Sequence, residues 1–162
     1  MGESDPRKES GREPRRGFKS FAEAFASLTP AEHVNRFVIP HFVPGAVFWV
    51  PDTEAAFGHD AAHPWVLLEN YDPARGSVLA APRTSSRIGE DPANEFFIPA
   101  GVLPELDRDG SVLLGNRRRL FASRFVQQGY RYVGCLPESW RSDLLRAHQE
   151  VVARARRSMQ GR

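Results

Sequence analysis

The sequence predicts a mainly β domain, a small antiparallel barrel, set between two polar and partly helical ends. Three observations carry that expectation. From Pro44 onward the apolar residues come in short, regularly spaced runs broken by Pro, Gly, Asn and Asp, as strands joined by turns require. No strand–helix–strand unit interrupts them. Near Pro137 the period changes: Trp140, Leu144, His148, Val151 and Val152 fall on one face of a C-terminal helix.

The elements follow in order. Residues 1–16 hold almost no apolar side chain, so ordering them would cost entropy that no burial offsets, and a disordered polar tail is expected. Residues 17–43 read as a helical extension. Ser20 with Glu23 and Thr29 with Glu32 have capping-box spacing, and Pro30 stands where a first helical residue falls. Phe18, Phe21, Phe25 and Leu28 share a helical face that would pack on the domain or on a second subunit; it could also serve as a built-in regulatory element on a barrel groove. Strands are expected at Ala46–Val50, Trp65–Glu69, Ser77–Ala81, Glu95–Ile98, Ser111–Leu114, Leu120–Ser123 and Tyr130–Cys135. The barrel with its C-terminal helix occupies 44–155, and 156–162 form a basic tail.

At 162 residues, 41% hydrophobic and with 11 Phe and 3 Trp, the chain supports one core rather than two. The single cysteine, Cys135, excludes an internal disulfide, and no charged start followed by an apolar run resembles a signal peptide, so a reducing cytoplasm is expected. Cys135 has no adjacent His or Lys and reads as a structural thiol. No window approaches the ~18 apolar residues of a membrane span. Net charge is +2, yet Ser20–Pro137 carries ten Lys and Arg against thirteen Asp and Glu, with Arg154, Arg156, Arg157 and Arg162 near the end. A general polyanion-binding surface is thereby excluded, and any such site is local.

Its expected place is one hairpin. Asp72, Pro73 and Gly76 suit the turn between two antiparallel strands. If Glu69 pairs with Ser77, counting back sets Pro64 against Pro82 or Arg83 and His63 against Thr84, roughly 5 Å apart at Cβ, with a bulge able to shift this by one residue. The same rim receives the loop 52–62, with His59 and Asp60, and launches Arg83-Thr84-Ser85-Ser86-Arg87. Imidazoles, guanidiniums and hydroxyls together suit cleavage of an RNA phosphodiester. A base takes the 2′-OH proton, an acid protonates the departing oxygen, and a cation stabilises the phosphate charge, with no cofactor and no metal needed.

The order of Gly45-Ala-Val-Phe-Trp-Val50, a polar loop, a basic residue plus Pro before a hydrophobic strand, and a strand ending in Pro82-x-Thr84-Ser85 resembles the PemK/MazF toxins. Gly101 to Leu114, Arg119-Leu120, Gly134-Cys135-Leu136 and the final helix are similar to the rest of that pattern, so the resemblance runs from about Pro44 to Ala153. It implies an SH3-like barrel, a homodimer, cleavage of single-stranded RNA as an endoribonuclease of a type II toxin-antitoxin system, and a partner antitoxin. It also implies that the basic residue before the Pro of the second strand and the Thr ending the third act in catalysis, here His63 and Thr84. The family's usual residue at the first of these positions is Arg. His63 then serves as acid or base with Arg83 supplying the cation and His59, Ser85, Ser86 and Arg87 in support, or the barrel is a non-catalytic module binding protein or nucleic acid.

Plainer readings stand beside these. His63 at a strand start also suits a backbone hydrogen bond, Thr84 a local turn, and Arg83 and Arg87 solvated loop positions. His59 and His63 have helical ligand spacing but precede a strand and have no third histidine nearby, which argues against a metal site. Asn116-Arg-Arg-Arg119 reads as an exposed turn or an auxiliary RNA contact. Trp49, Trp65 and Trp140 each lie in an apolar pattern and are expected in the core.

Overall fold

Among the described residues, β-branched and aromatic runs punctuated by Gly and Pro form seven strands: β1 (Ala46–Pro51), β2 (Ala62–Leu67), β3 (Ser77–Thr84), β4 (Glu95–Ile98), β5 (Gly110–Leu113), β6 (Arg118–Phe121) and β7 (Arg131–Cys135). The computed structural model describes residues 39–51 and 62–161. The expected tail, the Phe18–Leu28 helix, His59, Asp60 and Arg162 lie outside the described residues. Strand order is β4-β5-β3-β2-β1-β7, with β6 also on β3 and every pairing antiparallel. Among the described residues the sheet is not closed, β4 and β7 ending its main path and β6 pairing with β3 alone. The mainly β antiparallel class stands, and closure does not.

β3 is the spine. One edge pairs with β2 at Ala80–Pro82, while the other takes β6 along Ser77–Ala80 and then β5 at Arg83–Thr84. Side-chain alternation sorts its residues onto two apolar clusters. Phe48, Val50, Trp65, Leu67, Val78 and Ala80 join Phe42, Phe125 and Tyr130 on one face. Val47, Val66, Ala81 and Val112 meet Leu144 and Val151 on the other.

Two α-helices pack with the sheet among the described residues. The sequence reading carried β6 on to Ser123, but the strand ends at Phe121 and helix α1 (Ala122–Gln127) follows. Ala122 and Phe125, three apart, turn one helical face inward, and a short apolar run satisfies both periods. Helix α2 (Glu138–Gln160) starts after Pro137 as expected and continues through most of the segment read as a basic tail. No helix of the described residues is long and apolar enough to cross a membrane.

Gly45 locks α2 onto the sheet. Its φ is +85°, and its missing side chain leaves room for Arg141 Cγ and Cδ. Its N–H donates to Leu67 O at 2.8 Å and its carbonyl accepts from Leu136 N at 2.9 Å.

Candidate functional site

The β2–β3 hairpin positions the candidate residues. Asp72 organises its turn: Oδ1 accepts from Ala74 N and Arg75 N, and the Asp72 carbonyl accepts from Gly76 N at 2.8 Å. Gly76, at φ +62°, supplies the left-handed step. The expected Glu69–Ser77 pairing is displaced, because Ser77 bridges Asp72 instead and Leu68 N donates to Leu79 O. Extra residues on the β2 side form the irregularity. Beyond it the register is Leu67↔Ala80, Val66↔Ala81 and Trp65↔Pro82, where the ladder stops. Continued two residues further, that register sets His63 opposite Thr84.

A cleft of about 240 Å³ opens at this end of the sheet. His63 and Pro64 of β2, Trp49 of β1, Arg83 and Ser85 from the end of β3, and Glu105, Asp107 and Arg108 line it. His63, half-buried, pairs with Val50 on β1. Three of the expected residues, His63, Arg83 and Ser85, are thus brought to one concavity. Arg87 is not among them. It lines a second, smaller cleft with Glu90, Asp91, Asn94 and Glu95.

Thr84 is buried beside Ser111 rather than lining the cleft. Its Oγ1 accepts from Ser86 N at 3.2 Å and lies 3.1 Å from Ser86 Oγ, a turn closed by a strand-end hydroxyl. Ser86 itself is exposed.

Arg83 is not the solvated loop charge its sequence context suggested. Only 4% exposed, it donates from Nη2 to Ile98 O at 3.0 Å and to Arg108 O at 2.5 Å. Burial lowers its pKa, opposed by the nearby Asp109 and Asp107 carboxylates. Gly110 makes the fit possible, since a Cβ there would sit 2.5 Å from Arg83 Cζ. Two donors in the site lack a partner among the described residues, Arg83 Nε and Trp49 Nε1. Trp49, expected in the core, forms part of the cleft wall and carries Arg131 over its ring at 6.0 Å. Arg131 also ion-pairs with Glu105 at 2.5 Å. Trp65 is buried in the core, and Trp140 packs edge-on against Phe96.

The cleft thus offers an imidazole, a hydroxyl and guanidiniums, a set suited to holding an anion and moving a proton. Among the described residues no group of three or more His, Cys, Asp and Glu is gathered to hold a metal ion. Trp49, Glu105, Asp107 and Arg108 had no place in the sequence-based site. The signal for the last two was the polar run Asp107-Arg108-Asp109-Gly110, legible only once β5 is known to pair with the end of β3.

No family model matches the chain, and no curated protein does. Solved structures do. MazF (Form-I) from Deinococcus radiodurans is 19% identical with a TM-score of 0.51, covering 68% of this chain and 96% of its own. The MazE-MazF (Form-II) structure from the same organism is 21% identical with a TM-score of 0.50, covering 68% of this chain and 93% of its own. The domain therefore has the MazF-like fold.

Proposed function

We propose that this MazF-like domain is a metal-independent endoribonuclease of the toxin-antitoxin kind, cleaving single-stranded RNA in the cytoplasm at the His63 cleft. The observation that carries the reading is the gathering of His63, Arg83 and Ser85 around one concavity at the end of β2 and β3. In the reaction a base removes the proton from the ribose 2′-OH, and O2′ attacks the neighbouring phosphorus. The bond from phosphorus to O5′ breaks, and an acid returns a proton to O5′, leaving a 2′,3′-cyclic phosphate. His63 performs one of the two proton transfers. Ser85 hydrogen-bonds a phosphate oxygen, and Thr84 holds the turn that presents Ser85 and Ser86. Solved relatives of this fold include MazE-MazF structures, which supports an antitoxin partner here, and a homodimer is the assembly proposed.

The purified protein incubated with long unstructured RNA in EDTA should give discrete products. His63→Ala should slow their formation by about 100-fold or more. Intact RNA, or equal cleavage by the variant, removes the mechanism.

A second reading, a binding module without catalysis, is favoured by the charges around the cleft. Glu105 is already paired with Arg131, and Arg83 is offset by Asp107 and Asp109. Inducing the gene separates the two: growth arrest that depends on His63 supports the nuclease, and unaffected growth supports the module.

A further inference from the structure

A cleft that binds a phosphodiester needs a cation whose donors face solvent. Two arginines line this one and a third, Arg131, packs on its Trp49 and Glu105 walls, and their donors are committed to different degrees. Arg131 is engaged with Glu105 and the Trp49 ring. Arg83 is buried and spends both Nη2 hydrogens on the carbonyls of Ile98 and Arg108. Arg108 is different. It is exposed, it lines the cleft, and its side chain makes no hydrogen bond or ion pair among the described residues.

The wall that carries Arg108 is built around the Arg83 guanidinium. Ile98 O and Arg108 O, at the two ends of the segment joining β4 to β5, both accept from it. Within the segment Ala100 N donates to Asp109 Oδ1 at 2.8 Å and Gly101 N to Leu106 O at 2.9 Å. Gly110 lies flat against the guanidinium, a Cβ there coming within 2.8 Å of both terminal nitrogens. A Cβ at residue 110 would force the guanidinium to shift against its hydrogen bonds to the two carbonyls.

We propose that Arg108 is the residue that grips the substrate phosphate, and that Arg83, held over Gly110, is a positioning residue that fixes Arg108 at the cleft. The assignment rests on the reading of this cleft as an RNA site. It moves the binding cation from β3, where the sequence pattern puts it, to the loop before β5.

The test uses the full chain and a fluorescent single-stranded RNA carrying 2′-O-methyl groups, which binds without being cut, titrated at several salt concentrations. Arg108→Ala should weaken binding about tenfold. It should also reduce the slope of log affinity on log salt by roughly one phosphate contact. Arg108→Lys should keep that slope. Gly110→Ala and Arg83→Lys should weaken binding comparably and speed amide exchange at Ala100 and Gly101, which Arg108→Ala leaves unchanged. Adding Gly110→Ala to Arg108→Ala should cost no further affinity. RNA binding that Arg108→Ala leaves unaltered overturns this assignment while the nuclease reading stands. Additive losses in the double variant, or unchanged exchange in Gly110→Ala, remove the positioning role of Arg83. No RNA binding by the unmodified protein overturns the nuclease reading and this assignment together.

Discussion

Arg83 and Arg87 stand four residues apart in one polar run, and the fold puts them to opposite uses. Arg83 is still on β3, paired across to Val112, and its side chain goes inward to two backbone carbonyls. Arg87 lies past the strand end, exposed, beside a cleft whose other charges are the carboxylates of Glu90, Asp91 and Glu95. Even there the carboxylates are partly committed. Glu95 accepts from Gly89 N and Asp91 N at 2.7 Å each. Burial pushes its pKa up, but these amides, with help from Ser111, outweigh burial and hold it below the usual carboxylate range. Identical residue type and a shared neighbourhood therefore say little about role. What decides it is whether the backbone is still in the ladder when the side chain leaves it.

Arg83→Met should destabilise the domain by about 3 kcal/mol in urea titration, because two carbonyls lose their donor and two carboxylates their counter-charge. A loss near zero would mean that water replaces the guanidinium and that Arg83 does not hold the interior of the site together.

His148 occupies a third kind of position. It is a titratable group on α2 whose Nε2 is buried and unpartnered among the described residues, unlike the satisfied Nη2 of Arg83. Burial, then the Arg117 guanidinium, lowers its pKa, against the opposing pull of Glu69. The folded protein thus prefers the neutral ring, and the unfolded chain takes up its proton first. This contribution is fully present above the unfolded value of about 6.5 and is lost as pH falls from there toward the lower folded value. His148→Gln should flatten that part of the stability–pH curve, measured by thermal melts across the range. An identical curve would show that the ring is not held neutral.

Arg87→Ala gives the smallest effect, a stability change within about 0.5 kcal/mol by denaturant titration. A larger loss would place this arginine in the same class as Arg83.

Much of the fold was legible because it is written in local period and punctuation. Each expected strand overlaps an observed one, though β2 runs Ala62–Leu67 rather than Trp65–Glu69, and α2 starts after Pro137 as expected. The misread stretch, Leu120–Ser123, is where four apolar or small residues fit a strand and a helix equally. The candidate site was legible only along β2 and β3, whose register follows from one turn. Even there Asp72 rather than Glu69 took Ser77. Arg108 and Glu105 could not be found that way, since their approach to His63 depends on β5 pairing with the far edge of β3, a non-local choice that no window of sequence contains.

The pairing of β1 with β7 joins Ala46 to Cys135 and Trp49 to Arg131. As the chain leaves the ribosome, the first strand of the sheet must therefore wait for the last before its outer side is covered. Until then a row of free amides and carbonyls next to Phe48 and Trp49 is open to strands of other nascent copies. Slow translation between β6 and β7 lengthens that exposure, so aggregation of this protein in cells should follow elongation rate more closely than equilibrium stability.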